Sequence, residues 1–206
     1  MIKNTHGGLL VAFDGPKGAG KTTLVEHVRA DLVARGVDVW ATKSPSDTVL
    51  GRFVREIGET IDGDGFACLI ASDRYNHLRH AIIPKLSTNC VVITDRYVLS
   101  SLVLQRIDGV DSDFIINIHG SIIKPDLQIV VDTDHDVIRA RLGERKEHKR
   151  AVSRFEIGNK TSEEQQYLYE GIELLKPYEI ETILVNSSHH INSNVLAITS
   201  SIIKLL

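Results

Sequence analysis

"FDGPKGAGKTT", Phe13 to Thr23, is the stretch that decides the fold. Gly15-Pro16-Lys17-Gly18-Ala19-Gly20-Lys21-Thr22 matches the spacing G-x-x-x-x-G-K-[ST]. Glycines at these positions let successive backbone N–H groups turn inward around phosphates, and the helix that follows adds its positive N-terminal end. In such a loop Lys21 reaches the β- and γ-phosphates, and the Thr22 hydroxyl, followed by Thr23, ligates Mg²⁺. The stretch sits after the apolar run Leu9 to Asp14 and before Leu24, Val28 and Leu32, which recur at helical spacing until Gly36. A strand before and an amphipathic helix after are the setting that such a loop requires. ATP with Mg²⁺ is therefore the expected ligand. Lys17 is a long cation inside the loop, and its role is open.

Outward from the loop, short apolar runs alternate with helical periods. "VDVWAT", "CVVITD" (Cys90 to Asp95), "LQIVVD" (Leu127 to Asp132) and "TILV" (Thr182 to Val185) read as further strands, and Val195 to Ile203 as a closing helix. Alternation of this kind implies right-handed crossovers and a parallel sheet covered on both faces. The expected fold is a three-layer α/β domain of the P-loop NTPase kind. It has a five-stranded parallel sheet, and one domain spans residues 1–206.

Composition narrows the partners. Net charge is −3 over 206 residues, too near neutral for a surface that binds nucleic acid unspecifically. No run is long and apolar enough to span a bilayer, and "MIKNTHGG" lacks an apolar signal segment, so a cytoplasmic location is expected. Cys68 and Cys90 each lie in an apolar run without metal-ligand spacing, and both are expected to be buried free thiols.

Asp95 and Arg96 follow a buried strand at its carboxyl end, the edge where open α/β sheets bind ligands. There a carboxylate can hold Mg²⁺ or its waters, and a guanidinium can clamp a phosphate. Arg74 can instead form a helix-surface pair with Asp73. "RARLGERKEHKRAVSRFE" (Arg139 to Glu156) is either a solvated helix end or a basic lid over the triphosphate.

Four segments, in order, resemble the thymidylate kinase family of nucleoside monophosphate kinases. They are "TKSPSDTVLGRFVREI", "LIASDRYNHLRHAIIP", "VVITDRYVLSSLVLQ" and "PDLQIVVDTDHDVIRARL". The resemblance implies phosphoryl transfer from Mg²⁺-ATP to a nucleoside monophosphate, with dTMP the leading acceptor. It also implies a homodimer and a lid at about residues 141–156. Lys43, Arg74 and Arg96 would meet the acceptor, with Ser100, Ser101 and Gln105 nearby. Gly18 stands where some members of the family carry a catalytic arginine, so Arg145, Arg150 or Arg154 of the lid would cover the transition state. Arg141 would flank the triphosphate, and Asn186 would approach the adenine.

The acceptor side departs from the family. Lys17 replaces a carboxylate near the sugar, Ile70 an aromatic that stacks on thymine, and Leu104 a tyrosine that crowds the sugar. Losing a stacking face weakens base binding by about 1–3 kcal/mol. A modified nucleoside or specialised metabolite therefore stays open as the acceptor, and so does a nucleotide-binding regulatory module with little transfer activity. If Lys17 opposes dTMP, Lys17→Asp should improve its use.

Overall fold

In the computed structural model, which describes residues 1–147, 160–188 and 190–206, the apolar runs form the strands expected of them. These are β1 (Leu10–Asp14), β2 (Val39–Lys43), β3 (Val91–Asp95), β4 (Leu127–Asp132) and β5 (Glu181–Asn186). All four strand pairings are parallel, in the order β2-β3-β1-β4-β5. β1, β3 and β4 are buried almost throughout, which explains why they carry continuous rather than alternating apolar residues. β5 closes one edge and exposes Leu184.

The helices are α1 (Lys21–Ala34), α2 (Val49–Ile57), α3 (Gly63–His77), α4 (Ile83–Leu86), α5 (Val98–Ile107), α6 (Ser112–Ile118), α7 (His135–Glu147), α8 (Lys160–Leu175) and α9 (Ile191–Leu205). A π-helical turn, Leu78–Ile82, joins α3 to α4. Leu24, Val28 and Leu32 place one stripe of α1 in the core beneath the sheet, where Ile198 and Ile202 of α9 join it. Gly36, at φ 81°, ends α1 as expected, with Val37 N–H donating to Leu32 O. The opposite core holds α5, α6, α8 and the α3–α4 helix, with Tyr97, Leu99 and Leu102 among its buried side chains. Among the described residues no helix is long and apolar enough to cross a membrane.

One sequence expectation fails. Cys90 is buried, but Cys68 is exposed. The apolar run around Cys68 is helical, and α3 buries Phe66, Ala67, Ile70 and Ala71 while turning position 68 outward.

β1 and β3 are neighbours, yet the chain leaves β1 toward β2 on one side and leaves β3 toward β4 on the other. That reversal opens a crevice at the strands' carboxyl ends. Asp95 lies beside Phe13 there, so both loop segments singled out in the sequence meet at one edge.

Candidate active site

The phosphate loop takes its shape from positions that only glycine fills well. Gly15 has φ 142°, and a Cβ on it would lie 2.0 Å from Val131 O, so any side chain would collide with β4. Gly20, at φ 92°, precedes α1, and its carbonyl accepts from Leu24 N–H at 3.0 Å. Gly18 and Ala19 are buried in the turn between them, while Thr23 is exposed on the first turn of α1. Lys21 is buried, and its ammonium donates to the carbonyls of Gly15 at 2.8 Å and Pro16 at 2.7 Å. Burial, and then the nearby Arg96 guanidinium, push its pKa down to about 7, against the pull of Asp95, Glu164 and Asp14.

Thr22 Oγ1 donates to Asp95 Oδ2 at 2.6 Å. A hydroxyl and a carboxylate converging beside the loop are hard oxygen donors, and that set fits Mg²⁺, which takes a few protein oxygens and fills its shell from phosphates and water.

Arg96 holds a left-handed backbone, φ 76°, uncommon for a residue with a side chain. Bonds on all sides fix it: its N–H donates to Phe13 O, its carbonyl accepts from Thr94 Oγ1, and its Nη1 donates to Ser100 Oγ. Ser100 Oγ in turn donates to Asp14, which also accepts from the N–H groups of Tyr97 and Ser100 and from Gln128 Nε2. Asp14 is fully buried and satisfied by these donors. The sequence reading did not single it out, although a charge ending an otherwise apolar strand was visible.

Lys17, Arg96 and Glu164 line one cavity, of about 300 Å³, together with Ile70, Leu104 and Gln105. Its lining has two parts. Glu164 accepts from Lys17 N–H at 3.1 Å and feels the Arg96 charge, so the charged groups cluster beside the phosphate loop. Val54, Phe66 and Ile70, from α2 and α3, form a small apolar cluster that lines the same cavity. Gln105 also lines the cavity, and its Oε1 is buried with no hydrogen-bond partner among the described residues. Burial raises the Glu164 pKa, and Arg96, the Lys17 N–H and the Lys21 and Lys17 charges hold it back. Glu164 comes from α8, after the basic segment, where sequence spacing gave no sign of it.

Other predicted residues lie elsewhere. Arg74 is not a surface partner of Asp73: it is 3% exposed and lies outside the cavity lining. Its guanidinium donates to Ser101 Oγ at 2.9 Å, Tyr97 O at 3.0 Å and His119 Nε2 at 2.5 Å. His119 Nδ1 lies 2.7 Å from Ile115 O, so the proton sits there and Nε2 is free to accept from Arg74. Burial, and then the Arg74 charge, lower the His119 pKa to about 3. Asp73 instead holds the segment after β2, accepting from Ser46 N–H at 2.7 Å and Ser46 Oγ at 2.6 Å. Lys43 pairs with Asp47 at 3.1 Å and lines a separate cavity with Thr42, His77, Thr22 and Asp95.

Arg141 crosses the phosphate loop, donating to Gly18 O at 3.3 Å and Ser187 Oγ at 3.0 Å. Asn186 ends β5, and its Oδ1 accepts from Ser188 N–H at 2.7 Å in the turn facing Arg141. The Arg145 side chain, Arg150 and Arg154, and with them most of the lid expected at 141–156, lie outside the described residues.

A model of the family described as thymidylate kinase matches residues 13–198. The probable thymidylate kinase of Caldivirga maquilingensis is 33% identical over 141 residues, 66% of this chain and 69% of that protein. The probable thymidylate kinase of Pyrococcus abyssi is 36% identical over 133 residues, 61% of this chain and 65% of that protein. The thymidylate kinase of Caldicellulosiruptor saccharolyticus is 35% identical over 143 residues, 66% of this chain and 69% of that protein. With the family model covering all five strands but the first residues of β1, the chain belongs to the thymidylate kinase family of nucleoside monophosphate kinases.

Proposed function

We propose that this single domain transfers the γ-phosphoryl group of Mg²⁺-ATP to the phosphate of a nucleoside monophosphate, with dTMP the leading acceptor. The observation that supports this most is the cavity beside the phosphate loop, which pairs cations at Lys17 and Arg96 with apolar walls. A nucleotide has the matching parts: an anionic phosphate and a planar base.

In this reading the loop amides and Lys21 hold the donor phosphates, and Arg141 and Asn186 border the nucleoside. Thr22 and Asp95 hold Mg²⁺, which when bound neutralises charge on the phosphates. Arg96 clamps the acceptor phosphate and is preset for it by Asp14 and Ser100. A phosphate acceptor is already a nucleophilic anion, so no general base is needed. Catalysis comes from positioning and charge, with a lid arginine, Arg145, Arg150 or Arg154, covering the transferring group.

The test is ADP formation from Mg²⁺-ATP with a panel of nucleoside monophosphates, nucleosides and phosphorylated metabolites. Preferred turnover of dTMP supports the reading. Robust turnover that leaves dTMP untouched replaces the acceptor, and tight ATP binding without turnover of any acceptor favours a regulatory nucleotide-binding module.

A further inference from the structure

A phosphate acceptor has no use for the carboxylate that α8 brings to its cavity. Glu164 is 6% exposed, and a buried carboxylate is unfavourable unless its surroundings compensate it. Beside an incoming phosphate it would also repel the anion that Arg96 attracts. The fold nevertheless fixes it there. Tyr169 Oη and Gln165 Nε2 donate to Asp132 Oδ2 at 2.6 and 3.2 Å, and Arg106 pairs with Glu170, which ties α8 to β4 and α5. Gly171 lets α8 lie close against α5, since a Cβ there would come within 2.7 Å of Leu99 Cδ1. Glu164 Oε1 accepts from Lys17 N–H at 3.1 Å, and no described residue donates to Oε2. The side chain lines the cavity with Lys17 and Arg96, and it lies within electrostatic reach of Lys21 in the phosphate loop. Burial raises its pKa and so strengthens it as a base, while Arg96 and the Lys17 N–H favour its charged form.

We propose that Glu164 is a general base, and that the same cavity also accepts an uncharged nucleoside, whose primary hydroxyl is phosphorylated. A hydroxyl, unlike a phosphate, must lose a proton as it attacks, and it brings no charge for the carboxylate to repel. Its oxygen forms a bond to the γ-phosphorus of ATP while the bond from that phosphorus to the β–γ bridging oxygen breaks. ADP leaves with that electron pair, and the hydroxyl proton passes to the Glu164 carboxylate. One nucleoside and one ATP give one nucleoside monophosphate and one ADP, and the proton then returns to water. This second activity goes beyond the monophosphate reading and rests on it for the donor site.

The test follows both kinds of acceptor in one preparation. With Mg²⁺-ATP and thymidine or another common nucleoside, chromatography should find a nucleoside monophosphate formed together with ADP. In Glu164→Gln, kcat on that nucleoside should fall by at least about a hundredfold relative to kcat on dTMP. Calorimetry with ATP checks that the variant keeps a folded phosphate loop; where wild type uses the nucleoside alone, the same fall with ATP affinity retained supports the base. Wild type that turns over dTMP but no nucleoside would overturn the proposal and leave the monophosphate kinase reading standing. Equal losses on both acceptors in Glu164→Gln would also overturn it, because Glu164 would then support the loop rather than take a proton. No transfer to any acceptor would end both readings.

Discussion

Ser100 N–H donates to Asp14 Oδ1 at 3.0 Å, tying the last residue of β1 to the first turn of α5. The Ser100 hydroxyl extends the link: it donates to the same carboxylate and accepts from Arg96 Nη1 at 3.1 Å. Arg96 is thereby held in its left-handed conformation with its guanidinium at the cavity wall.

Ser100→Ala removes the hydroxyl and keeps the backbone link to Asp14. One hydrogen bond of about 1 kcal/mol converts to a KM for the acceptor raised about fivefold, with ATP binding unchanged. Steady-state kinetics with each substrate varied in turn check this. A matching loss on the ATP side would mean that Ser100 acts on the fold rather than on Arg96.

The Thr22–Asp95 pair makes a separate prediction about Mg²⁺. Thr22→Val keeps the shape and removes the oxygen, so half-saturation by Mg²⁺ should move up by roughly tenfold. A Mg²⁺ titration of ADP formation reads this directly. An unchanged midpoint would remove Thr22 from the metal site.

Lys21 should make ATP binding dependent on pH. Its pKa is lowered to about 7, chiefly by burial, and phosphate anions in place of the Gly15 and Pro16 carbonyls would raise it. The bound state then holds a proton that the free state lacks above pH 7. Affinity should be flat below that pH and fall as pH rises, by up to about tenfold per unit. Calorimetry at pH 8 in buffers of different ionisation enthalpy should find uptake approaching about one proton. Affinity that stays level from pH 7 to 9 would contradict it.

What the sequence made legible follows from how local each signal is. The strands and the phosphate loop are written in contiguous residues: a two-sided buried strand needs an apolar run, and the loop needs glycines at fixed spacing. Asp95 and Arg96 were readable for the same reason, since a charged pair after "VVIT" marks a strand's carboxyl end. Glu164 was not readable, because only the packing of α8 brings it to the loop at Lys17. Arg74 shows the reverse error: its neighbour Asp73 suggested a surface pair, but α3 buries both residues and turns them to different partners.

Glu164 decides between the two readings the sequence leaves open for Lys17. If Lys17 opposed dTMP, Lys17→Asp would improve its use. Glu164 is 6% exposed, accepts from Lys17 N–H, and has its raised pKa held back in part by the Lys17 charge. The loop cation therefore offsets a buried carboxylate at the point where an acceptor phosphate would approach. Lys17→Asp would put a second carboxylate there, and two anions facing an incoming phosphate should raise the dTMP KM by at least about tenfold. Glu164→Gln in the Lys17→Asp background removes one of the two charges and should recover most of that loss, whereas Glu164→Gln alone should change the KM little. A double-mutant cycle on the dTMP KM measures the coupling. Additive effects would separate the two residues, and a Lys17→Asp protein that uses dTMP better than wild type would restore the view that Lys17 keeps it out.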